Sequence, residues 1–184
     1  MPRKPDPILE TRILDAAQRL WIRGGDKALS LRAIARAART NTPAIYRRFR
    51  NRKEILRGLV RRAQQDLYET LKSCHSLEEA GQRTFEFALS RQREYEIVTA
   101  GLLSKINEPQ PNFEFMKKRS AEWLGGNPED YTRLVLALWS VVHGTSLLFI
   151  TKSVPKGTET ELQSVLSAAL GVLVRNRSEL SAKT

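Results

Sequence analysis

Ser30-Leu31-Arg32-Ala33-Ile34-Ala35-Arg36-Ala37-Ala38-Arg39-Thr40-Asn41-Thr42-Pro43-Ala44-Ile45-Tyr46-Arg47-Arg48-Phe49 is the stretch whose reading decides the fold. Ser30 suits an N-cap, and Leu31, Ile34, Ala35 and Ala38 behind it recur at helical spacing on one inward face. Asn41 suits a second N-cap, before a short helix in which Ile45 and Phe49 share a face. The residues between, Arg39-Thr40-Asn41, leave room only for a tight turn. Two short helices about a turn are the expectation.

Upstream, Asp6-Pro7 reads as a cap followed by proline at the first helical position. Ile13, Leu14, Ala17, Leu20 and Trp21 then form a helical stripe that Gly24-Gly25 ends. Downstream, Asn51 to Glu54 has the form of a capping box, and Ile55, Leu56, Leu59, Val60, Ala63, Leu67 and Leu71 carry the stripe of a longer helix to Lys72. Ser76 to Glu79 is a second box, before Phe85, Ala88 and Leu89. A less regular stretch, 91–106, precedes the break Glu108-Pro109-Gln110-Pro111. Phe113 to Leu124 reads as a short helix closed by Gly125-Gly126. Asn127-Pro128-Glu129-Asp130 opens a helix that is apolar almost all round from Leu134 to Ile150, and such a helix needs cover on more than one side. Thr158 to Glu161 is a third box, with Leu162, Val165, Leu166, Ala169, Leu170 and Leu173 behind it. No stretch reads as a strand. The expected fold class is all-α, with a three-helix N-terminal domain over 6–52, a connecting helix over 51–72, and a helical domain over 76–180.

Composition narrows the function. One cysteine, Cys74, excludes an internal disulfide framework. The basic start Met1 to Asp6 has no apolar core behind it, unlike a signal peptide. Ser140, His143, Gly144 and Ser146 interrupt the longest apolar run, so it reads as a buried helix rather than a membrane span, and the expected location is the cytoplasm with no membrane partner. Residues 1–75 hold 18 Lys/Arg against 7 Asp/Glu, whereas residues 76–184 hold 13 of each. The whole net charge of +11 therefore sits in the first two-fifths of the chain. A basic head on a neutral body suits a polyanion, because each neutralised phosphate releases counterions.

Three short helices with a tight turn before the third follow the helix-turn-helix plan. With Ile45 and Phe49 inward, the opposite face of the third helix carries Pro43 and Arg47, flanked by Ala44 and Tyr46. Arg47 has the fork geometry for guanine in a major groove, while Tyr46, Arg48 and Arg52 are placed to reach phosphates. Ser30, at a helix N-terminus, suits another phosphate.

Ser30 to Ala38, then Ala44-Ile45-Tyr46-Arg47-Arg48-Phe49-Arg50-Asn51-Arg52-Lys53-Glu54-Ile55-Leu56, resemble the TetR-family DNA-binding domain. Ile13-Leu14-Asp15-Ala16-Ala17, Leu20-Trp21 and Gly24 resemble its first helix, and the likeness covers residues 8–60. It implies a homodimeric transcriptional regulator, usually a repressor, that binds double-stranded DNA and whose C-terminal helices take a ligand and form the dimer interface. It also implies phosphate contacts at Ser30, Tyr46, Arg48 and Arg52, and base contacts at Thr42, Pro43 and Arg47. Ala44 stands where the family often has a backbone-contacting threonine. Arg39-Thr40-Asn41 replaces the family's usual Gly-Val-Ser, so a left-handed Arg39 is expected to cost about 1–2 kcal/mol, partly offset if its side chain adds a phosphate contact.

Leu138-Trp139-Ser140-Val141-Val142-His143-Gly144 resembles a Trp…His-Gly signature of some TetR-family C-terminal domains. Trp139 and His143, four apart, share one helix face. They read equally well as pocket walls with one polar handle each or as a satisfied core pair. Phe85, Leu89, Leu102, Phe113 and Trp123 are further candidate ligand-binding residues, with Tyr95, Leu103, Phe115 and Met116 beside them. Their apolar character favours an apolar or aromatic effector. Helices 130–152 and 159–175 are the expected homodimer interface, as a four-helix arrangement about a two-fold axis. His75 and His143 lack zinc-site spacing, Cys74-His75 is not placed for nucleophilic catalysis, and no glycine-rich phosphate loop occurs. No enzyme activity, metal or cofactor is expected. The alternative to a ligand-responsive repressor is a helical interaction protein that binds nucleic acid nonspecifically.

Overall fold

The computed structural model describes residues 7–99 and 110–180, and the described residues are helical with no strand. They fall into two compact units. The first runs to Ala63 and resumes at Glu96; the second takes Gln64–Tyr95 and the later helices. The expected cap at Asp6 and the candidates Leu102 and Leu103 lie outside the described residues.

In the first unit, α1 (Pro7–Ala28), α2 (Leu31–Ala37), α3 (Thr42–Tyr46) and the first half of α4 (Arg52–Lys72) enclose Ile13, Ala17, Trp21, Leu29, Ile34, Ile45, Phe49, Ile55 and Leu59, all buried. Gly25 breaks the helical backbone of α1 at φ 58°, ψ −149°, where the glycine pair was expected to end it. Arg12 of α1 donates to the Ala38 carbonyl at 3.3 Å and so satisfies one of the last acceptors of α2. Gly58 lets α4 cross α1 closely: a Cβ there would meet a Leu14 methyl at 2.5 Å.

The turn after α2 resolves the departure at Arg39. Its φ is +51°, the left-handed region, so arginine does what glycine does more cheaply. The Thr40 N–H donates to the Ala35 carbonyl at 2.9 Å and the Arg39 N–H to that of Arg36 at 3.1 Å. This is the Schellman closure of a helix. Lys152 adopts the same conformation, φ +53°, at another helix end.

The second unit packs the rest of α4, α5 (Leu77–Ser90), the start of α6 (Gln92–Thr99), α7 (Pro111–Leu124), α8 (Thr132–Ile150), α9 (Glu159–Arg175) and the single turn α10 (Arg177–Leu180). The 3-10 turn Pro128–Tyr131 leads into α8. The core joins Leu77 and Phe85 to Tyr131, Leu134, Leu138, Val142, Leu166 and Leu170.

Two predicted capping boxes form with one shift. Asn51 and Ser76 accept the N–H groups of Glu54 and Glu79, but each glutamate reaches back to the residue before the cap, Arg50 at 2.7 Å and His75 at 2.9 Å. The third does not form: the Thr158 hydroxyl donates to the Pro155 carbonyl instead, so it caps no amide.

Arg39→Gly should therefore stabilise the protein. Relief of the left-handed cost, less the extra freedom glycine gives the unfolded chain, leaves about 0.5–1 kcal/mol in urea unfolding. Destabilisation would mean that the Arg39 side chain supports the turn.

Candidate nucleic-acid interface

The third helix is one turn long and is held from both sides. The Asn41 side chain accepts the Ala44 N–H at 2.9 Å, and Pro43 sits in the first turn, where a missing N–H costs nothing. Below, Ile45 is fully buried and Phe49 is 6% exposed. Above, Pro43, Tyr46 and Arg47 face solvent, with Tyr46 54% exposed. Thr42 and Arg48 are half-buried at its flanks. Ser30 caps α2 through its hydroxyl, which accepts from Ala33 N–H at 3.1 Å, and remains at the surface.

Two candidates take other places. Ala44 is 5% exposed and its N–H is held by the Asn41 cap, so it packs α3 onto the core rather than facing outward. Spacing on so short a helix did not distinguish its flank from its floor. Arg52 turns inward. Its Nε donates to the Leu29 carbonyl and its Nη2 to the Asp26 carbonyl, both at 2.9 Å, and its guanidinium pairs with the Asp26 carboxylate. It closes the end of α1 with a cation, where orphan carbonyls and the helix dipole favour one. The sequence signal was Asp26 beside the glycine pair.

The surface around α3 is cationic. Between Ser30 and Lys53 there are eight Lys/Arg and no carboxylate. Arg32, Arg36, Arg39, Arg47, Arg50 and Lys53 are exposed. Asp15, meanwhile, is bound to Arg62 at 2.6 Å. The arrangement offers a small, short-side-chain ridge with one forked donor, ringed by phosphate-seeking charges.

The TetR_N family model, bacterial regulatory proteins of the tetR family, matches residues 13–59. That segment matches the DNA-binding domain of the TetR family. The match spans the four helices that build this ridge, and the domain is that of a DNA-binding transcriptional regulator. The whole chain is similar in fold to solved TetR-type structures. A TetR variant from Acinetobacter baumannii AYE in complex with minocycline is 19% identical, with 98% of this chain and 100% of that one covered and a TM-score of 0.69. The multidrug binding protein EbrR complexed with imidazole is 21% identical, with 92% and 93% covered and a TM-score of 0.66. A TetR-family transcriptional regulator from Streptomyces coelicolor is 21% identical, with 90% and 99% covered and a TM-score of 0.59. No curated protein matches the chain.

Of the candidate ligand residues, Trp139 and His143 lie on α8, Phe113 and Trp123 on α7, and Phe85 and Leu89 on α5. Trp139 packs on Phe113 with ring centroids 6.2 Å apart, and the Tyr95 hydroxyl lies 3.2 Å from His143 Nδ1. Phe85 is 2% exposed and meets Phe149 edge-on at 5.9 Å, as a core residue. Leu89 is half-buried against the same cluster. Trp123, at the end of α7, also packs against that cluster, with the Arg119 guanidinium 4.5 Å from its ring centroid. Burial pushes the Tyr95 phenol up to about 12, so it stays protonated. Sequence reading missed Lys117, which is 5% exposed and bound by Glu114 and Glu129, each at 2.9 Å.

Arg52→Ala should act on stability. Losing charge-assisted bonds at a partly exposed site should cost about 1–2 kcal/mol in thermal or urea unfolding. Unchanged stability would return Arg52 to the phosphate-contacting set.

Proposed function

We propose that this protein is a ligand-responsive repressor that binds a palindromic operator as a homodimer. Residues 6–52 serve as the reading domain, the helix over 51–72 as connector, and residues 76–180 as the ligand-binding and dimerisation domain. The observation that carries the reading is the exposed Pro43-Tyr46-Arg47 ridge within a cationic segment, residues 30–53, that holds no carboxylate. Arg47 reads guanine; Thr42 and Pro43 lie against neighbouring bases. Ser30, Arg39, Tyr46 and Arg48 hold phosphates and set the register.

Dimerisation is supported by what a single chain leaves open. Leu136, Leu147 and Leu148 of α8 are 42–51% exposed, Trp139 is 37% exposed, and Gly144 on the same helix has open space where a Cβ would be. On α9, Val165 and Val172 are 61% and 47% exposed with Ala168 between them. Apolar stripes on two adjacent helices, with a glycine that nothing in the chain requires, suit a second copy packed about a two-fold axis. The same apolarity is why Pro128–Ile150 has the length and composition of a membrane span. Its Leu134, Leu138 and Val142 flank nevertheless forms the core of the second unit.

Two reading heads joined in this way select half-sites about 34–36 Å apart, one turn of duplex. An effector of apolar or aromatic character shifts the dimer between states in proportion to its differential affinity for them. Similar folds solved with minocycline and with imidazole lend support.

Selection from random duplexes should recover a palindrome, and Arg47→Ala should lose about 1–3 kcal/mol of discrimination at one base pair per half-site. No consensus would favour nonspecific binding by a helical interaction protein; an unaltered consensus would remove Arg47 from the reading set.

A further inference from the structure

Many hydroxyls on the helices of this chain satisfy themselves within their own helix, and one buried hydroxyl among the described residues does not. Thr84, Ser90, Ser120, Ser140, Thr151 and Ser167 each donate to the carbonyl four residues back, at 2.7–3.2 Å. That is the cheapest way for a helical serine or threonine to satisfy its hydroxyl. Ser146 on α8 is fully buried, yet its Oγ makes no hydrogen bond among the described residues. A buried hydroxyl that forgoes an available back-bond is aimed at something else.

Its surroundings indicate what. The Ser146 hydroxyl is near enough to the Tyr95 oxygen to favour its ionised form slightly, but lacks hydrogen-bond geometry to it. Tyr95, 3% exposed, shares a proton with His143 Nδ1 at 3.2 Å. Around these groups α8 is apolar and aromatic, with Val142 buried and Trp139 against Phe113. A few convergent polar groups within an apolar wall are the usual make-up of a small-molecule site. Serine and tyrosine hydroxyls both donate and accept, so their complement is a group that does both. An ion placed there would need a buried counter-charge.

We propose that Ser146, with Tyr95 and His143, is the polar anchor of a site for a small uncharged aromatic molecule bearing a hydroxyl, phenol being the minimal example. The proposal rests on the ligand-responsive reading above and deepens it.

Calorimetric titration of the full-length protein with phenol, toluene and benzoate tests it. Phenol should bind about tenfold more tightly than toluene, the worth of one good neutral hydrogen bond, and benzoate should be weaker than phenol. Ser146→Ala should bring phenol down to the affinity of toluene, whereas Ser90→Ala should keep the preference. Tyr95→Phe should also lose it, and serves if the Ser146 variant unfolds. Equal affinities for phenol and toluene, no binding of either, or a preference that survives Ser146→Ala overturns the anchor and leaves Ser146 holding a water. Operator release is scored separately: phenol that binds without releasing operator overturns ligand response alone, and release by an unrelated molecule without phenol binding overturns the anchor alone.

Discussion

A helix of five residues does not persist by itself, because nucleation costs more than so few bonds return. The structure of the reading head therefore depends on the burial of Ile45 and Phe49 beneath α3. Burying each such side chain is worth about 1.5–3 kcal/mol, enough to hold one helical turn that the Asn41 cap then closes at its start. Everything that faces outward follows. With Ile45 and Ala44 pinned inward, Pro43, Tyr46 and Arg47 have only the solvent side left. The left-handed turn at Arg39 sets where α3 begins, and its strain is small beside the burial it permits.

Charge is arranged with the same economy. Two carboxylates of the first unit bind its own arginines: Asp15 on Arg62 and Asp26 on Arg52. Glu54 is spent on the backbone N–H of Arg50. Residues 30–53, which include α2 and α3, hold eight Lys/Arg and no carboxylate. A duplex approaching that surface meets charge held ready by the fold rather than rearranged on binding.

Most of this was legible in the residues because it rests on local rules. Apolar spacing marks helices, and Ser30, Asn41 and Ser76 mark starts, so α2, α3 and α5 appear where expected. The tetrapeptide Thr158 to Glu161 misled, since a box pattern does not bind the threonine hydroxyl against a better acceptor at Pro155. The bonds Arg52 makes within the domain were hidden for a related reason: its partners, Asp26 and Leu29, are over twenty residues away, and sequence spacing carries no information about such pairs. Gly58 likewise reads as a flaw in a helix until Leu14 is seen against it. The second unit was harder still. Aromatic residues at helical spacing look alike as core or as pocket wall, and only the structure separates Phe85, packed into the core, from the polar group formed by Tyr95, His143 and Ser146.

Hydroxyl-radical footprinting on a duplex recovered by selection tests the central claim most directly. Two copies, each presenting α3 to a major groove, should protect two patches on one face of the DNA, about 10–10.5 base pairs apart centre to centre or a multiple of that. A single patch, or uniform protection along the duplex, would contradict the account.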